Sequence, residues 1–112
     1  MVIKMLNKIA GNWNYTFKKN ESAIPNDILS DQEFCMLYEQ CKHFTMTSVE
    51  RMYSLYQSID YIFKNDIEGD FVECGVWKGG SSMLMAMMLK QHGMTNKKLY
   101  LYDTFEGMSE PT

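Results

Sequence analysis

The segment GDFVECGVWKGGSS, residues 69–82, constrains the fold of this 112-residue chain more than any other. Phe71-Val72-Glu73-Cys74 has the content of a strand, Gly75, Gly79 and Gly80 punctuate a turn, and Ser81 to Gln91 is apolar almost all round, as a helix buried against a sheet would be. A turn at 92–98 leads to Leu99-Tyr100-Leu101-Tyr102, a second strand that ends at Asp103. Strand, helix and strand within about 35 residues make a βαβ unit, whose strands run parallel with a right-handed crossover. The expected class is therefore α/β.

Upstream, two S/T-x-x-E patterns mark helix starts. Ser30 with Glu33 and Thr47 with Glu50 each read as a capping box, in which hydroxyl and carboxylate satisfy orphaned backbone N–H groups. Behind the first, Phe34, Leu37, Tyr38 and Cys41 share a face. Behind the second, Val49, Met52, Tyr53, Tyr56, Ile59 and Phe63 do so over about four turns. Residues 2–9 form a short amphipathic segment that stops at Gly11, and residues 12–29 keep no sustained period, so residues 1–29 are expected to be an irregular N-terminal segment.

Charge and cysteine usage narrow the partners. A formal net charge of −3, with no basic cluster, argues against nucleic acid. No apolar run approaches the roughly 20 residues of a membrane span. The three cysteines, Cys35, Cys41 and Cys74, match no zinc or redox spacing and suit a reducing cytoplasm, so a cytoplasmic location is expected. The eleven methionines, several of them in the 83–94 stretch, read as helix packing rather than as an adaptable binding surface.

The turn lies at the carboxyl ends of the strands, where open α/β sheets bind ligands. Missing side chains at Gly75, Gly79 and Gly80 let a ligand approach the backbone, and the N–H groups of the following helix suit a carboxylate or a phosphate. The spacing G-x-x-x-G-G meets neither the dinucleotide nor the nucleoside-triphosphate pattern. Glu73, near the strand end, would repel a pyrophosphate but can accept from an ammonium group. Asp103 stands where an acid accepts both hydroxyls of a ribose. Each acid alone also reads as a solvated strand end or a capping charge. Together they fit a ligand with an amino-acid end and a ribose end, and S-adenosylmethionine is such a ligand.

EGDFVECGVWKGGSSMLMA followed by LYLYDTFEGMSEPT resembles the start of the macrocin O-methyltransferase family, and FTMTSVERMYSLYQSIDYI resembles it too, so the similarity spans about residues 44–112. That family comprises S-adenosylmethionine-dependent enzymes with a Rossmann-like fold that methylate sugar hydroxyls in natural-product pathways. The resemblance implies cofactor contact by Glu73, Gly75, Ser81 and Asp103, with Val76, Trp77, Gly79, Gly80, Thr104 and Phe105 lining the site. Related small-molecule enzymes place a methionine and a hydroxyl residue two apart over the methionine end of the cofactor. Met46 and Ser48 match that pattern, and also read as helix capping, a task Thr47 would already perform.

Such a fold has about seven strands, and this chain supplies two. It reads as the N-terminal portion of a Rossmann-like methyltransferase fold, truncated, with residues 30–112 forming a helical lid and the first βαβ unit of an incomplete sheet. The positions where the family places divalent metal ligands, magnesium for example, and its catalytic base are expected to lie outside the chain. His43 and His92 are isolated, so no catalytic residue is assigned. The expected partner is a small-molecule hydroxyl acceptor, and the exposed sheet edge leaves homo-oligomerisation open. Two alternatives stand beside this reading: a non-catalytic fragment or interaction module, and a nicotinamide-dependent dehydrogenase.

Overall fold

A computed structural model describes residues 24–107 and 110–111. The amphipathic segment expected at 2–9, and most of the irregular stretch after it, lie outside the described residues. In chain order the elements are α1 (Asn26–Ser30), α2 (Gln32–Cys41), a 3₁₀ turn (Lys42–Phe44), α3 (Val49–Lys64), β1 (Phe71–Cys74), α4 (Gly80–Gln91) and β2 (Leu99–Tyr102).

Both helix starts read from the capping-box pattern fall one residue later than expected. At α2 the cap is Asp31, whose Oδ1 accepts from the Phe34 N–H at 3.0 Å, while the Ser30 hydroxyl donates backward to the Asp27 carbonyl. At α3 the cap is Ser48, whose hydroxyl accepts from the Arg51 N–H, and Thr47 is instead tied to Thr45 through both its N–H and its hydroxyl. The Ser48 hydroxyl is also the first cause, ahead of Glu50's own backbone N–H, of a Glu50 carboxyl held below its ordinary range. The expectation of irregular backbone up to residue 29 is corrected as well. Pro25 introduces the five-residue helix α1, its carbonyl accepting from Ile28 and Leu29 N–H, and the buried Ile28 pins that helix to the core.

The expected apolar faces meet in one core. Phe34, Leu37, Tyr38 and Cys41 from α2 pack with Val49, Met52, Tyr56 and Ile59 from α3 and with Leu84, Met85 and Met88 from α4. Phe34 is its aromatic hub, with ring centroids 5.5 Å from Tyr38, 4.9 Å from Tyr53 and 5.5 Å from Tyr56. Burial pushes the Tyr38 hydroxyl up to about 12 and the Cys41 thiol up to about 11, so neither ionises near neutral pH.

β1 and β2 pair in parallel, in the register Phe71↔Leu99, Val72↔Tyr100, Glu73↔Leu101 and Cys74↔Tyr102. Phe71 and Leu99 pack against the helical core. Because strand side chains alternate between faces, Glu73 shares the helix-facing side with Phe71. Val72, Cys74, Tyr100 and Tyr102 occupy the opposite face and are exposed. No helix among the described residues is long and apolar enough to cross a membrane.

Candidate functional site

The carboxyl ends of the two strands are locked together before the loops begin. The Gly75 N–H donates to the Tyr102 carbonyl at 2.8 Å, which extends the ladder into the turn and brings Asp103 beside it. Gly75 and Gly79 both have a φ of 85°, a left-handed conformation that glycine adopts at little cost. Around Gly75 there is open space where a Cβ would stand, so its requirement is conformational.

Gly80 is different, because the space left by its missing side chain is not open to a ligand. A Cβ at this position would stand 2.7 Å from the Phe44 carbonyl carbon, the Phe44 oxygen and the Thr45 Cβ. The bare face of Gly80 is therefore occupied by the chain's own 44–45 segment. That contact seats the connection before α3 against the start of α4. Met46 follows directly in this connection and is 70% exposed. The Ser48 hydroxyl expected over the cofactor is engaged as the cap of α3.

α4 begins at the glycine turn with Gly79 as its cap residue and no side-chain cap, whereas α2 and α3 are capped by Asp31 and Ser48. An uncapped helix start leaves backbone donors and the positive end of the helix dipole at the turn. Glu73 is half-buried behind it. One of its oxygens, Oε2, accepts from the Ser82 hydroxyl, and the other has no partner among the described residues. Ser81, the serine expected at the cofactor, instead points its hydroxyl at the Met52 sulfur at 3.8 Å. Ser82 was missed by sequence reasoning. Its spacing with Met85 and Leu89 puts it on the buried face of α4, and a buried hydroxyl needs a partner.

Asp103 joins the two loops. Its Oδ2 accepts from the N–H groups of Val76 at 2.7 Å and Trp77 at 3.2 Å, and its Oδ1 accepts from Phe105 N–H at 3.1 Å and the Thr104 hydroxyl at 3.4 Å. Val76 is buried, while Trp77 and Phe105 are 47% and 69% exposed. The Lys78 ammonium sits 4.8 Å from the Trp77 ring centroid. The N–H groups of Phe105, Val76 and Trp77, in that order, hold the Asp103 carboxyl below the usual carboxylate range. A depressed carboxylate stabilises the fold above its unfolded-state pKa, about 4, and that contribution disappears as pH falls through the lower folded value. The stability difference between the native chain and Asp103→Asn should accordingly be largest at neutral pH and shrink on acidification. Denaturation series at stepped pH would show this, and a difference independent of pH would contradict it.

The described residues thus form a mixed helix-and-strand unit in which a left-handed glycine turn and an uncapped helix start link two parallel strands, with Glu73 and Asp103 near the strand ends. The chain belongs to the macrocin-O-methyltransferase (TylF) family, whose model matches residues 31–112. It is 39% identical over 66 residues to an 8-demethyl-8-(2,3-dimethoxy-alpha-L-rhamnosyl)-tetracenomycin-C 4'-O-methyltransferase of Streptomyces olivaceus, covering 59% of this chain and 25% of that protein. Over the same length it is 32% identical to the demethyldecarbamoylnovobiocin O-methyltransferase of Streptomyces niveus, again 59% of this chain and 25% of the relative. It is 26% identical over 68 residues to the mycinamicin III 3''-O-methyltransferase of Micromonospora griseorubida, 61% of this chain and 27% of that one. The matched stretch thus spans about a quarter of the length of these relatives.

Proposed function

We propose that this chain forms the cofactor-binding part of an S-adenosylmethionine-dependent O-methyltransferase that acts on a hydroxyl of a sugar or other small molecule. The observation that carries the reading is Glu73, half-buried at the glycine turn beside the uncapped start of α4, with one carboxylate oxygen unpartnered among the described residues. An ammonium group satisfies that oxygen, and the free N–H groups of the helix start suit the carboxylate of the same amino-acid moiety. Asp103 stands at the ribose end. On this reading Met46, which follows the 44–45 segment seated against Gly80, borders the methionine end of the ligand, and Gly75, Val76, Trp77, Gly79, Thr104 and Phe105 supply the surrounding loop.

S-adenosylmethionine supplies an electrophilic methyl group. The contribution of the present residues is binding and alignment, with no base assigned among them. The two-stranded sheet is read as part of a larger Rossmann-like sheet, a reading supported by the much greater length of the relatives and by the exposed apolar face at Val72, Tyr100 and Tyr102. Any magnesium ligands and the acceptor pocket belong, on this reading, to residues other than those described. A cytoplasmic location accords with three free thiols.

Competitive fluorescence titration separates this proposal from a dehydrogenase built on the same unit. S-adenosylmethionine is expected to quench the exposed Trp77, and the reduced nicotinamide cofactor to leave its own emission unchanged. Enhanced nicotinamide emission without a response to S-adenosylmethionine would reverse the assignment.

A further inference from the structure

Three non-glycine residues among those described have a left-handed backbone, Asp66, Trp77 and Phe105, and two of them are aromatic residues at the site, with φ of 50° and 55°. Bulky side chains rarely adopt this conformation, which persists where surrounding contacts hold it. Both strained residues donate their N–H to the same group: Trp77 to Asp103 Oδ2 and Phe105 to Asp103 Oδ1. One carboxylate thus holds the left-handed residue of each loop. Charge-assisted bonds of this kind are roughly twice as strong as neutral ones.

We propose that Asp103 is a positioning residue that acts through the main chain, holding Trp77 and Phe105 in left-handed conformations so that both exposed aromatic side chains stand ready at the turn before any ligand binds. The acceptor count supports a task of this kind. A carboxylate offers about four lone-pair sites. Four bonds from the two loops already engage them. The role of Asp103 in loop geometry therefore precedes any role as a ligand acceptor. Its functional meaning rests on the reading of this turn as a cofactor site, but its test needs no cofactor, so the two stand or fall separately.

The test uses the ligand-free 112-residue chain carrying Trp13→Phe, which leaves Trp77 as its one tryptophan. In Asp103→Ala no side-chain acceptor remains, so both loops are released. Acrylamide quenching of Trp77 should rise about twofold, as for a segment opening locally, with helical circular dichroism unchanged. Asp103→Glu should restore part of the protection. A second comparison addresses the mechanism itself: with Trp77→Gly and Phe105→Gly present, the left-handed strain is gone, and Asp103→Ala should lower the melting temperature less than it does in the parent background. Equal quenching in the parent and Asp103→Ala, or an equal loss of melting temperature in both backgrounds, would overturn the proposal.

Discussion

Replacing Gly80 by alanine is expected to destabilise the chain by about 1–3 kcal/mol, the range for overpacking a filled site. Two effects compete. Alanine favours a helix over glycine by about 1 kcal/mol in a helix interior, and less at a first turn such as this one. Against that, the new methyl would stand 2.7 Å from main-chain atoms of Phe44, which cannot rotate away as the end of a side chain would. The steric term wins, and relief requires the 44–46 connection to move off α4. Gly75→Ala meets no atom within 4 Å and suffers only its left-handed φ, so it separates conformational strain from close packing. Urea titrations of the two variants measure the difference. A Gly80→Ala chain as stable as the parent would mean that the connection does not sit where the structure has it.

Phe34→Ala should have the larger effect, about 3–5 kcal/mol for removing a buried aromatic ring. Phe34 is fully buried and touches Tyr38, Tyr53 and Tyr56, so its removal leaves a cavity lined by three rings that cannot all collapse inward. Small domains have a total stability of only about 5–15 kcal/mol, so the variant should be largely unfolded at physiological temperature. Met36, on the same helix but 60% exposed, is the control, and its replacement by alanine should change stability by no more than about 0.5 kcal/mol. Thermal melts followed at 222 nm compare the two. Similar melting temperatures for both variants would remove α2 from the core.

Much of this architecture was legible because hydrophobic period and turn chemistry agreed. Phe71–Cys74 and Leu99–Tyr102 are the strands in both readings, and α4 begins one residue earlier than its apolar run, at Gly80. Cap positions were less legible, for a physical reason. Ser30-Asp31 and Thr47-Ser48 each put two good cap residues side by side, and a pattern of spacing cannot tell which oxygen is free. The Ser30 hydroxyl is spent on Asp27 and the Thr47 hydroxyl on Thr45, so the neighbours cap. α1 was missed because five residues give no period to read. At the site, the strand-end acids were visible in the sequence, whereas the pairing of Glu73 with Ser82, the occupation of Gly80 by Phe44 and Thr45, and the bonds from Asp103 to both loops depend on long-range contacts.

The central claim is that S-adenosylmethionine binds at this turn through Glu73, and calorimetric titration tests it most directly. A charge-assisted hydrogen bond contributes about 1.5–3 kcal/mol, so Glu73→Ala should weaken binding by about ten- to a hundredfold relative to the parent chain. Saturable binding by the parent with that loss in Glu73→Ala is the predicted result. Equal affinity in the parent, Glu73→Ala and Asp103→Ala would place the cofactor elsewhere and contradict the account.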